Sequence, residues 1–175
     1  MQYNGFKARC AILWLAQQMD VPSIPLIWPM IYLAGRRYLS MMGMLMLGDS
    51  FVAMHHGPVP LRAYAEFHLK VGSWKADGSA THLDAWLKRV ATSVAPSELL
   101  CRFTVVEQQC LLAASVEVKA VGRSGLDRLV KGTAWQRAGP DGILDPLEIA
   151  LEGGADDGTL DYLLRWREQS YLIEL

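Results

Sequence analysis

His55-His56 is the densest pair of chemistry-bearing side chains in this 175-residue chain. Adjacent imidazoles serve as metal ligands or general bases when further ligands or a substrate site join them. Asp49, His68 and His82 stand at no ligand-type spacing to the pair. Successive strand residues also point to opposite faces, so both rings would not meet one ion. No metal and no cofactor is expected. Nucleophilic catalysis needs a nucleophile held by a base. The cysteines are Cys10, Cys101 and Cys110, odd in number and never in a Cys-x-x-Cys pair. Cys10 and Cys110 fall on apolar helix faces, where cysteine acts as a small hydrophobe. A disulfide framework or zinc ribbon is not expected, and a reducing cytoplasm fits. Gly-x-Ser-x-Gly, a P-loop and a dinucleotide-binding glycine pattern are absent. No catalytic residue is expected.

Binding chemistry remains. Arg36, Arg37 and Tyr38 follow an apolar stretch. Basic residues late in a helix favour the dipole, and arginine with tyrosine also makes interface anchors. Gly57-Pro58 reads as a structural turn, glycine allowing a backbone angle closed to other residues and proline fixing the next. That turn places His55 and His56 in an exposed loop. Arg36, Arg37, Asp49, His55, His56, Pro58 and Tyr64 are therefore the candidate partner-binding residues, with Gly57 and Pro58 as the turn.

The totals set limits. One domain over residues 1–175 is the simplest organisation. A net charge of -1 supplies no broad positive field for nucleic acid. The longest apolar run, Ile24 to Ala34, is 11 residues, and a membrane span needs about 20. The first residues lack a basic stretch followed by an apolar core, so no signal peptide is expected. Hydrophobic residues make up 51%, with eight Met and six Trp, against 20% charged. The excess belongs either to a well-filled core or to a partner surface, where Met and Trp are enriched.

The elements that position the candidates follow from periodicity. Phe6, Cys10, Leu13, Trp14 and Gln17 mark a helix over 6–19. Val21-Pro22 ends it, and Ser23 caps a second helix that runs to about Met42 and stops at Gly43. Pro29 inside that helix predicts a kink or a delayed start. Gly48-Asp49 is a turn, and Phe51 to Met54 a short strand. Pro60 starts a helix with Leu61, Tyr64, Ala65 and Leu69 on one face. Gly72 to Ser79 is loop-like. Leu83, Trp86, Leu87 and Val90 mark a helix that Ala95-Pro96-Ser97 breaks. Thr104 and Glu107 form a capping box before a long apolar helix to about Val121. Gly122 stops it, and Ser124 caps another carrying Leu126, Leu129 and Val130. Gly139-Pro140-Asp141-Gly142 is a turn, and Asp145-Pro146 a helix start. After the flexible link from Gly153 to Gly158, Leu160, Leu163, Leu164 and Tyr171 line a last helix.

The order of Tyr32-Leu33-Ala34 in an apolar helix, Gly48-Asp49, a short strand and Gly57-Pro58-Val59 resembles the Panacea (SocA-like antitoxin) domain family. The family's pattern is an apolar helix with a Leu-Tyr-x-Ala core, then Gly-Asp, a short strand and Gly-Pro-Val. The capped helix from Thr104, the Ser124 helix and Ala134-Trp135 fall in the family's order, so the resemblance spans roughly residues 6–170. The chain departs from it at Gly35, where the family usually has an acid, and at Lys131-Gly132, where it often has a histidine. If the family shares a polar site built from that acid and histidine, the resemblance implies that this chain has lost it.

The expected fold is mainly α (α+β): one compact helical domain with a very small β-sheet or hairpin. The resemblance implies a bacterial, cytoplasmic antitoxin that binds and neutralises a partner protein, a toxin encoded beside it, through a surface including His55 to Tyr64. Alternatives are a protease adaptor or a phage or mobile-element inhibitor of a host protein, an enzyme with a histidine-centred site, and a DNA-binding autorepressor, which the charge balance disfavours. Self-association is left open.

Overall fold

The computed structural model describes residues 2–72 and 80–173. The predicted loop beyond Gly72 lies outside these residues, as do the side chains of Leu83 and Tyr171. The fold is mainly α with one small antiparallel hairpin. The elements are α1 (Gly5–Gln17), α2 (Ile24–Met42), β1 (Phe51–Met54), β2 (Gly57–Pro60), α3 (Leu61–Gly72), α4 (Ala80–Thr92), α5 (Pro96–Leu100), α6 (Val105–Val130), α7 (Thr133–Ala138), α8 (Pro146–Glu152) and α9 (Asp157–Ile173).

α2 is the central element because its sequence leaves no polar face for most of its length. Ile27 and Met30 to Ala34 are all fully buried, as expected of a helix apolar on every side. It packs against α6 above all, and also against β2, α8, α1 and α9. The expected delayed start does not occur. α2 begins at Ile24 with Pro25 in its first turn, and Pro29 lies within the helix. The missing Pro29 amide forfeits only a bond to the Pro25 carbonyl. Gly43 ends α2 in the left-handed region, at φ 64°, with its amide on the Leu39 carbonyl, a glycine C-terminal stop.

The inward faces of two helices differ from the periodicity reading. α1 is buried nearly all round between Ala8 and Ala16, and Phe6, expected inside, is exposed. On α3, Leu61, Ala65 and Leu69 face solvent, and Ala63, Tyr64 and Phe67 face inward. Trp28 decides this rotation. Its ring meets Tyr64 and Phe67 edge-on, with both centroid separations 5.5 Å, so two aromatic contacts outweigh two exposed leucines.

Two local signals were decisive. The capping box forms as read: Thr104 Oγ1 accepts from the Glu107 amide, and the Glu107 carboxylate accepts from the Thr104 amide at 2.8 Å. Lys7 Nζ also reaches Glu107 at 2.5 Å. Gly122, at φ 60° and ψ -172°, interrupts α6 where a stop was expected.

The hairpin gains a strand that the sequence reading lacked. Gly57 and Pro58 do not form the turn. They pair with Met54 and Ala53 as the start of β2, and His55-His56 makes the corner instead. Proline is tolerated in β2 because β1 borders it on one side only. On the other edge of β1, the Ala53 amide donates to the Gly142 carbonyl and Leu144 donates to Phe51.

Asp49, expected on a partner surface, is instead a structural anchor. It is buried, and its carboxylate accepts from the Arg62 amide and, at 2.9 Å, from the Ala63 amide. Both amides belong to the open first turn of α3. Pro60, just before α3, offers no side chain to cap it, so the cap comes from thirteen residues upstream of Arg62. Asp49→Ala should cost about 2 kcal/mol by leaving these donors unpaired. Urea unfolding reads this as a lowered midpoint at constant m-value, and an unmoved midpoint would remove Asp49 from the cap.

Candidate functional site

His55 and His56 project from the hairpin corner as exposed side chains. Their rings stand edge to face, with centroids 4.9 Å apart. They occupy a turn and not a strand, so the alternation expected for them does not apply. Among the described residues, no group of three or more His, Cys, Asp or Glu side chains converges. The corner is held from beneath. The Trp135 indole N–H donates to the Met54 carbonyl at 3.1 Å, and Lys131 Nζ lies 5.3 Å from the Trp135 ring centroid. Gly57 closes over Val130.

The other candidates, Arg37 excepted, are drawn inward. Pro58 is buried. Tyr64 packs on Trp28 and, at 4.1 Å between centroids, on His68. Arg36 belongs to an internal polar cluster that periodicity did not reveal. The Tyr32 hydroxyl donates to Glu152 Oε2 at 3.3 Å, and the Ala134 amide donates to Oε1 at 2.8 Å. Arg36 Nη1 stands 3.8 Å from Glu152 and 5.7 Å separates its guanidinium from the Tyr32 ring centroid. Together these bonds fasten α7 and α8 to the middle of α2.

A side chain at Gly35 would meet the Phe51 ring at 2.9 Å, and one at Gly132 would overlap the Glu152 carboxylate. Neither glycine has room for a side chain unless these neighbours shift. The polar groups around Glu152 bond to one another and to backbone.

Arg37 leads to a second surface. It is exposed and pairs with Glu117 of α6 at 2.6 Å. Beside it, Arg37 and Met41 of α2 face Val106, Gln109, Cys110 and Ala113 of α6 across a groove of about 260 Å³, with Gly153 completing the lining. The outer face of α6 continues the groove. Val105, Leu112 and Val116 are exposed by 68, 50 and 56%, and Met41 by 61%. Val105, Gln109, Leu112 and Val116 repeat at four-, three- and four-residue intervals, the spacing of a helix seam. The opposite face, with Cys110, Leu111, Ala114 and Val118, is buried. α6 is thus apolar on two faces, and among the described residues its chain partners cover one of them.

Burial sets the titration behaviour. It pushes the Tyr32 phenol up, reinforced by the Glu152 charge, and it raises the thiols of Cys10 and Cys110. Groups raised in the folded state ionise first in the unfolded chain, from ordinary values of 9.0 for thiols and 10.0 for phenols. Their contribution is complete below those values and is lost as pH climbs toward the folded ones. The melting temperature should therefore fall from about pH 9 upward. Tyr32→Phe should fall less steeply above about pH 10. Calorimetry between pH 8 and 11 reads both, and a flat profile would contradict the burial of these groups.

No family model, curated protein or solved structure matches this chain. Among the described residues, no helix is long and apolar enough to cross a membrane.

Proposed function

We propose that the protein is a binding module that neutralises a partner protein by occluding it, in the manner of an antitoxin, without catalysis. The observation that carries this reading is the uncovered apolar face of α6 with Met41 beside it. Contiguous apolar surface rimmed by polar residues marks a contact site, and methionine and arginine are enriched there. Here Met41 supplies the adaptable apolar contact, and the Arg37–Glu117 pair the polar rim. The exposed His55-His56 corner is a second contact.

The resemblance to the Panacea domain supplies the nature of the partner, a toxic protein encoded beside this one. Its chemistry is stoichiometric: one surface covers another, and nothing is turned over. The test is co-expression with the product of a growth-inhibiting neighbouring reading frame. Growth should be restored, and size-exclusion chromatography with light scattering should show a defined complex of the two chains. Restoration with no complex, accompanied by a mass change on the partner, would replace binding with an enzymatic function.

A further inference from the structure

A cavity of about 280 Å³ lies between α1, α3 and α4. Its walls are apolar: Ile12 and Leu13 of α1, Phe67 of α3, and Trp86, Leu87 and Val90 of α4. The polar lining comes from Tyr3, Arg9 and Glu66. Arg9 and Glu66 side chains are 48 and 41% exposed and only 3.5 Å apart at closest approach, so they mark its mouth. Tyr3 differs. Its hydroxyl is shielded from water, and the Glu66 carboxylate beside it is a partner only at poor hydrogen-bond geometry. Glu66 stands near enough that, after burial itself, its charge helps push the Tyr3 phenol up to about 12. A buried donor left poorly paired is costly, and a better-placed partner relieves that cost. Apolar walls hold water poorly. The lining therefore fits one kind of occupant, an apolar body with a single polar head.

We infer that this cavity is a small-molecule site for a compact aromatic compound bearing one hydroxyl group, the ring held among Phe67, Trp86 and Leu13 and the hydroxyl placed between Tyr3 and Glu66. The Tyr3 hydroxyl donates to the ligand oxygen, and the ligand hydroxyl donates to the Glu66 carboxylate. Mostly apolar walls with a few convergent polar groups are the usual make-up of such sites. The cavity shares no lining residue with the groove between α2 and α6, so the inference does not rest on the partner-binding proposal.

The test uses the whole protein and two probes of one shape, p-cresol and toluene, titrated by proton–nitrogen correlation NMR. Both should give saturable shifts centred on the amides of Ile12, Leu13, Phe67 and Leu87. p-Cresol should bind at least about tenfold more tightly, because its hydroxyl makes buried hydrogen bonds that toluene cannot. Tyr3→Phe should weaken p-cresol severalfold and leave toluene unchanged, since one of the two bonds, to Glu66, remains. Leu13→Trp should fill the space and abolish both interactions while the spectrum stays dispersed. If that variant does not fold, Val90→Phe fills the same cavity from α4. Absence of saturable shifts, shifts centred elsewhere, or binding that survives a folded filling variant would overturn the site. Equal affinity of the two probes would overturn its polar head. Loss of probe binding in the presence of the toxic partner would assign the cavity to a partner side chain and overturn the small-molecule reading.

Discussion

Gly57→Val is expected to cost about 3 kcal/mol and to lower the melting temperature by about 6–12 °C. Two effects add. Gly57 sits at φ 112°, a conformation that a β-branched residue adopts only under strain. A Cβ there would also stand 2.9 Å from Val130 Cγ2, and the further methyl groups of valine would deepen the overlap. Val130 is fully buried at the end of α6, so it has nowhere to retreat in a packed interior. Gly57→Ala keeps the strain and most of the contact and should give a smaller loss of the same sign. Calorimetry of the three proteins measures the series. An unchanged melting temperature for the valine variant would show that neither the backbone angle nor the contact constrains the hairpin.

This glycine also shows what was legible and why. Its necessity was readable, because Gly-Pro after a short apolar run constrains backbone in few ways. Its setting was not. Gly57-Pro58 reads as a turn by local chemistry, and only pairing with β1 makes it strand. The same division recurs. Gly43, Gly122 and the Thr104–Glu107 box were legible since each acts within one turn of its own helix. The inward face of α3 was not, because Leu61 and Leu69 are as hydrophobic as Tyr64 and Phe67. The choice is made by Trp28, some forty residues upstream of Phe67.

The candidate surface was partly legible for the same reason. His55 and His56 lie on an exposed corner, as a polar pair beside a turn should. Asp49 could not be separated from a surface acid, because its work is done on amides brought close by the hairpin. Glu152 and Tyr32 stand 120 residues apart in the chain, so no spacing rule joins them. The outer face of α6 left a signal that was legible in principle. Apolar residues recur there at two interleaved helical spacings, more than one buried face needs. A long apolar helix with that pattern is either enclosed by its own chain or waiting for another.

That second reading leads to the largest expected effect on binding. Met41→Glu combined with Leu112→Glu should weaken the complex with a toxic partner at least roughly thirtyfold, as truncating a central anchor does. Both side chains are at least half exposed, so the fold should lose no more than about 0.5 kcal/mol. Binding and folding are thus separable, with circular dichroism and melting as the check on the latter. Two new carboxylates beside the Arg37–Glu117 pair would have to be stripped of water when a partner closes over them, and this desolvation supplies the loss. His56→Glu with Tyr64→Glu forms the comparison at the hairpin. Tyr64 packs on Trp28, so that variant should lose stability as well as any contact at the corner. Cys110→Ser alters a buried thiol on the covered side of the groove and should leave growth rescue intact once folding is verified. Rescue that survives the Met41 and Leu112 substitutions but fails in a folded hairpin variant would move the contact to the His55-His56 corner. Rescue that fails only with Cys110→Ser would reopen catalysis, because a surface that merely covers its partner has no use for a buried sulfur.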